Sequence, residues 1–244
     1  MYEERFYRYF LKNEFSLEIS YQESDLYIIS SEPLNKEFVQ NILKNYYSQI
    51  ENYIKEHPSF LSALSSLPFD ENAPFIIQDM LKASKLSGLG PFSAVAGAVA
   101  FYVGKELLKY SQEVIIENGG DIFLNIKEDK KIGLYCGKYF DWPFLTLKIR
   151  KRNYSFGICT SSSKIGHSIN FGEADAVMVL AKDVLIADTF ATLYSNMLKK
   201  EKDIQKVCER AKKNSIIEAV VVAFKGKLFF WGDIELDGKQ EESS

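Results

Sequence analysis

Residues 88–125 read GLGPFSAVAGAVAFYVGKELLKYSQEVIIENGGDIFLN, and a change of period inside this stretch decides the fold class. Up to about residue 110 the pattern is helical. Pro91 suits a first helical position, Ala96, Ala100 and Gly104 recur at i+4, and Ser93 and Gly97 form a neighbouring stripe. From residue 113 the pattern becomes β-like, with runs at 113–117 and 121–127 flanking Asn118-Gly119-Gly120-Asp121. A helix that gives way to successive short strands indicates an α+β protein. The string GLGPFS shares glycines with a dinucleotide-binding fingerprint. However, a helix precedes it where a strand is required and the third glycine is missing, so a Rossmann unit is excluded.

Working outward, residues 15–21 and 26–30 alternate on either side of a turn and predict a β-hairpin. Residues 33–56 carry apolar side chains at i, i+3 and i+4 and predict a helix that ends before Pro58. Residues 59–73 read as a loop or short helices, and 75–87 as a helix stopped by Gly88. Downstream, strands are expected at 131–136, 144–150 and 154–160, then at 174–181 after a loop rich in Gly and Ser. Helices at 184–199 and 204–212 follow, then a hairpin of 216–224 and 227–231 around Gly226. The expectation is one α+β domain over residues 1–236, a mixed, mainly antiparallel sheet packed with helices. Residues 237–244 read as a polar C-terminal tail.

The chain has 244 residues, 46% hydrophobic and 26% charged, a balance that supplies a core without disulfides or a structural metal. A formal charge of −3 gives no positive field to attract nucleic acid or an acidic membrane surface. Cys136, Cys159 and Cys208 show no CxxC spacing, which disfavours a zinc site and fits a reducing compartment. Residues 1–15 are charged throughout, unlike a signal peptide. The longest apolar run, residues 89–103, falls short of the roughly 20 residues a bilayer span requires. The reading is a cytoplasmic protein with neither a nucleic-acid nor a membrane partner.

Four stretches carry groups suited to chemistry. The small-sided helix after Gly88 and Gly90 permits close backbone approach, and its N-terminus favours phosphate; tight helix packing is the plainer account. Asn118-Gly119-Gly120-Asp121 is a hairpin-turn signal. Its functional alternative lets Gly119 and Gly120 bring the backbone to a ligand while Asp121 holds a polar group. Residues 157–172, GICTSSSKIGHSINFG, place Thr160, Ser161, Ser162 and Ser163 before His167, a hydroxyl-rich loop able to bond phosphate or a heterocycle. His167 is a candidate general acid or base, or a loop histidine with a structural hydrogen bond. His57, at a helix end before a proline, is incidental. Last, Asp183 fits a helix N-cap, and Asp188 and Thr192 stand four apart on that helix. A carboxylate and a hydroxyl so stacked can ligate a hard cation. The alternative is a solvated face, against which the apolar Leu185, Ile186, Ala187 and Ala191 argue.

Taken in order, these stretches resemble the ApbE family of FAD:protein FMN transferases, in its shorter soluble branch. The matching pieces are ENGGDI at 117–122, TSS at 160–162 after a strand, the later His167, and ADTFAT at 187–192. The resemblance spans about residues 87–198. It implies an α+β fold that binds FAD, uses Mg²⁺ and transfers FMN to a Thr or Ser of an acceptor protein. It places Gly119, Gly120 and Asp121 at the flavin site with Thr160, Ser161 and Ser162 beside them. Asp188 and Thr192 match the metal ligands, and His167 is the candidate catalytic residue.

The chain also departs from the family. Ser162 stands where a TSG motif has Gly, and HSINFGEADAV at 167–177 replaces a DPxTG-type segment. Binding of FAD or another nucleotide-like molecule is therefore better supported than transfer. Two alternatives stay open: a different small-molecule enzyme on this scaffold, and a non-catalytic homodimer whose small-residue helix packs on a second subunit.

Overall fold

Short turns through positive φ fold most of the strands back on their neighbours. The computed structural model describes residues 15–136, 140, 144–162 and 172–237. In chain order it begins with β1 (Ser16–Tyr21), β2 (Ser24–Ser30), α1 (Lys36–Glu56), α2 (Ser59–Ser62) and α3 (Phe75–Ser87). A 3₁₀ turn (Pro91–Ala94) leads into α4 (Val95–Leu107), then β3 (Val114–Asn118), β4 (Asp121–Asn125), β5 (Lys130–Tyr135) and β6 (Phe144–Ile149). The remainder is β7 (Phe156–Ser161), β8 (Ala176–Ala181), α5 (Val184–Met197), α6 (Asp203–Lys212), β9 (Ile217–Phe224), β10 (Lys227–Gly232) and β11 (Glu235–Leu236). Gln22 at φ 52°, Gly119 and Gly120 at 68° and 101°, and Lys225 and Gly226 at 47° and 79° sit in the three hairpin turns. Positive φ at both central residues, as in the last two turns, or at the first alone, as at Gln22, gives the two-residue turns that match strand twist. Lys225 is held there by its backbone N–H, which donates to Asp175 Oδ2 at 2.6 Å.

Eight strands form one sheet in the order β1-β2-β3-β4-β7-β8-β9-β10, and β11-β6-β5 form a second. Every pairing among the described residues is antiparallel. The large sheet is covered on both sides. Side chains alternate along a strand, so Val177, Val179 and Ala181 of β8 join the helical layer. Ala176, Met178 and Leu180 meet Leu134, Leu147 and Ile149 of the small sheet. That double coverage is why β8 reads as an unbroken apolar run. Between β8 and β9 the register slips: Leu180 faces Ala219 but Ala181 faces Ile217. Glu218 is the extra residue of a β-bulge, turned to receive Arg152 Nε at 2.7 Å.

The structure departs from the sequence expectation in places with local causes. Helix α1 starts at Lys36 rather than residue 33, because the Asn35 side chain accepts from Phe38 N at 2.9 Å and sets the N-cap. The helix expected from 91 opens as a 3₁₀ turn, with the Ser93 hydroxyl donating back to Gly90 O at 2.7 Å. Strand β11 lies just before the expected tail, of which Asp237 pairs with Lys131 Nζ at 2.5 Å. Residues 238–244 lie outside the described residues.

Tyr194 on α5 is fully buried, and its hydroxyl has no hydrogen-bond partner among the described residues. A buried, unbonded hydroxyl is a net cost. Tyr194→Phe is therefore expected to leave stability unchanged or raise it by up to about 1 kcal/mol. Urea unfolding checks this, and a loss of stability would reveal an unseen partner.

Candidate functional site

The site forms where α5 is squeezed between α4 and the sheet. Asp183 starts α5, its side chain accepting from Ile186 N at 3.0 Å, and every residue from Val184 to Ser195 is buried. Two glycines admit the helix. A Cβ on Gly157 of β7 would lie 2.5 Å from Val184 Cα, and one on Gly97 of α4 would lie 2.9 Å from Val184 O and 3.0 Å from Asp188 Cβ. At this contact Asp188 Oδ2 accepts the Gly97 N–H at 2.8 Å. That N–H belongs to the first turn of α4, where backbone donors lack partners within the helix.

The β3–β4 turn closes over the same place. Asn118 donates through Nδ2 to Ala96 O at 3.2 Å and accepts from Asp25 N through Oδ1 at 3.3 Å. Gly120 N donates to Glu117 Oε1 at 2.9 Å, and Gly120 O accepts from Thr160 N at 3.2 Å. Thus the turn reading and the site reading of this stretch coexist: Gly119-Gly120 is a tight turn, and it docks on α4. Asp121 follows immediately and faces Cys159 across the β4–β7 ladder. The buried Cys159 thiol donates to Val184 O at 3.5 Å, beside the Asp121 carboxylate across the ladder.

Asp121 and Asp188 are both buried, and both carboxyls are pushed above the usual range. Loss of solvation is the first cause for each, and for Asp121 the charge of Asp188 is the second. No basic side chain pairs with either among the described residues, so none of these offsets two neighbouring negative charges. A raised folded-state pKa means that the folded form holds more protons than the unfolded form, so stability falls as pH rises. Metal-free protein is therefore expected to lose stability from about pH 4, the ordinary carboxylate value, upward through the raised range. Urea midpoints taken at pH 5 and 7.5 in chelator test this; a flat profile would mean the carboxylates are compensated.

This donor set fits a hard divalent cation. Asp188 keeps Oδ1 beyond its bond to Gly97, Asp121 brings a second carboxylate, and Thr192 stands buried one turn along α5. Among the described residues no three His, Cys, Asp or Glu side chains gather as a complete cage. Further ligands would have to be hydroxyl, carbonyl, water or ligand oxygens.

The remaining candidates divide. Ser161 shares the helical side of the sheet with Cys159 by strand alternation, and it is buried. Thr160 opposes Met178 and projects toward the small sheet, so it meets the turn through its backbone. Ser162 donates to Asp175 O at 2.7 Å and ties down the exit of β7. His167 and Ser163 lie outside the described residues. The neighbouring Thr189 turns away from Asp188 into a hydroxyl chain, 2.9 Å from Ser87 Oγ and 2.8 Å from Ser93 Oγ. In the sequence Gly97 is legible as part of a small-residue stripe and Cys159 as a thiol without a CxxC partner, and nothing in their local pattern marks either for the site. A surface cleft of about 440 Å³ lined by Arg150, Lys151, Arg152 and Lys182 shares no residue with this group.

A helical layer, an antiparallel sheet and a second small sheet, with an NGGD turn docked on the small-sided helix α4 beside a buried DxxxT helix, define an ApbE-like α+β protein. Solved structures with the same fold include the flavin transferase ApbE from Vibrio cholerae, at TM-score 0.60 and 13% identity. It covers 89% of this chain and 96% of that one. The ApbE protein from Thermotoga maritima follows at TM-score 0.59 and 11% identity, covering 92% and 97%. The family model described as AbpE bacteria matches residues 8–228, and the chain belongs to that family. Its relatives include a UPF0280 protein of Methanocaldococcus jannaschii, 39% identical over 198 residues, with 79% of this chain and 80% of the relative covered. A UPF0280 protein of Methanococcus aeolicus is 36% identical over 197 residues, covering 78% and 79%. Among the described residues no helix is long and apolar enough to cross a membrane.

Proposed function

We propose that this chain binds FAD together with a divalent cation, Mg²⁺, and transfers FMN to a Ser or Thr hydroxyl of an acceptor protein. The observation that carries the reading is the pair of buried carboxylates, Asp121 and Asp188, which have no basic partner among the described residues and sit beside the Gly119-Gly120 turn. Asp188 and Thr192 would hold the cation from one face of α5, with Asp121 approaching from β4. Mg²⁺ would supply charge neutralisation of the pyrophosphate. Gly119 and Gly120 present bare backbone where the flavin nucleotide approaches, and Ser161 offers a hydroxyl on the same side of the sheet. In the reaction the acceptor oxygen bonds to the FMN phosphorus, the bond from that phosphorus to the AMP moiety breaks, and AMP leaves. The acceptor hydroxyl must lose its proton, and His167 is the candidate to accept it.

The test is a titration with FAD, with and without Mg²⁺, followed by flavin fluorescence and by mass spectrometry of acceptor peptides. Mg²⁺-dependent binding and a peptide mass gain equal to FMN, minus the water equivalent, support the reading. Absence of binding rejects it. Binding without transfer to any of several acceptors favours a second reading, a different reaction of a nucleotide-like substrate at this site. Ser162 motivates that reading, because it occupies a glycine position of the family motif and bonds Asp175 O.

A further inference from the structure

The Asp188 carboxylate is not free to choose its orientation, and the group that fixes it lies outside the family-like motifs. Gly97 N–H holds Asp188 Oδ2 at 2.8 Å, and the helix backbone can come that close only because residue 97 has no side chain. A Cβ there would press on both Asp188 Cβ and the Val184 carbonyl, at 3.0 and 2.9 Å. Val184 O is also where the buried Cys159 thiol rests, at 3.5 Å, and Cys159 stands directly across the ladder from Asp121. Gly97, Val184 and Cys159 thus form a continuous contact running from one carboxylate to the other. Both donors, an amide N–H and a thiol S–H, are neutral at neutral pH. The first orients a carboxylate oxygen of Asp188 and the second holds Val184, one turn before Asp188, against β7, and neither brings a positive charge to the site.

We infer that Gly97 and Cys159 are positioning residues for a divalent cation at the Asp121–Asp188 pair, Gly97 orienting the Asp188 carboxylate and Cys159 fixing, through Val184 O, the first turn of α5 against the strand that faces Asp121. The inference rests on the cation reading of this site and adds the residues that set its geometry. Loss of an outer partner typically lowers metal affinity by about 10–100-fold. Mn²⁺ serves as the probe, because its free and bound forms are distinguished by electron paramagnetic resonance without any turnover. The full chain is titrated with Mn²⁺ as wild type, Gly97→Ala, Cys159→Ala and Cys159→Ser, alongside metal-free melting temperatures.

The expected result is Mn²⁺ affinity weakened by about tenfold or more in Gly97→Ala and Cys159→Ala, with Cys159→Ser, which keeps a donor, near wild type. The metal-free melting temperature of Cys159→Ala should not account for the loss. Wild-type affinity in folded Gly97→Ala and in Cys159→Ala overturns the inference while leaving the cation reading intact. If Gly97→Ala does not fold, Cys159→Ala against Cys159→Ser decides the matter. A wild-type chain that binds no Mn²⁺ overturns the cation reading, and this inference with it.

Discussion

Asp188→Ala is expected to abolish Mg²⁺-dependent binding of FAD while leaving a folded protein. In the metal-free chain the substitution takes the acceptor from Gly97 N–H, and orphaning such a buried donor costs about 1–3 kcal/mol. It also removes one of two buried carboxylates that lack a basic partner among the described residues, a gain of opposite sign. The two effects offset one another, so the metal-free melting temperature shifts little. With ligand present nothing offsets the loss. A ligand at a hundredfold excess over Kd stabilises by about 2.7 kcal/mol, and all of that should vanish. Asp188→Asn separates the roles, since the amide oxygen can still cap α4 but carries no charge for a cation. Thermal unfolding with and without Mg²⁺ and FAD measures both variants. An Asp188→Ala protein stabilised by the ligands as strongly as its parent would remove this carboxylate from the binding site.

The largest loss of stability is expected at Phe123. The ring is fully buried and lies on Gly104 of α4, where a Cβ would come within 2.5 Å of two ring carbons. Phe123→Ala should cost about 3–5 kcal/mol from lost burial and the cavity left behind. Gly104→Ala alone should cost about 1–3 kcal/mol from the clash. Together the two changes relieve each other, because the new methyl enters the space the ring vacates. The double variant should therefore be more stable than the sum of the singles by about 0.5–3 kcal/mol. Urea unfolding of all four proteins gives the coupling directly; strict additivity would mean that the ring does not rest on Gly104.

Much of this fold is legible in the sequence because local chemistry and tertiary packing agree. Asp183 signals the start of α5 and performs that role. The apolar run of β8 signals a strand covered on both sides, and two layers cover it. The Asn118-Gly119-Gly120-Asp121 string signals a turn, and both glycines adopt positive φ. What escapes is whatever depends on register or long-range approach. The bulge at Glu218 and the two-residue β11 exist only in relation to their partner strands. Thr160 and Ser161 look equivalent in the hydroxyl run, yet pairing with β8 sends them to opposite sides. Asp188 and Thr192 are readable as a pair from their spacing. Their relation to Asp121 and Gly97 arises only when three elements distant in sequence are pressed together.

The two-sided coverage of the large sheet also decides which parts of this protein can open. Amide groups of β7 and β8 are shielded above by α5 and below by the small sheet, so they should exchange with solvent only on global unfolding. The first turn of α4 and the Gly119-Gly120 hairpin lie at the margin, joined by the Asn118-to-Ala96 hydrogen bond. Transient openings that admit a ligand should therefore begin as a parting of hairpin from helix. The carboxylate on β4 would remain anchored to a slowly exchanging frame, and entry and anchoring would be governed by separate cooperative units of one small protein.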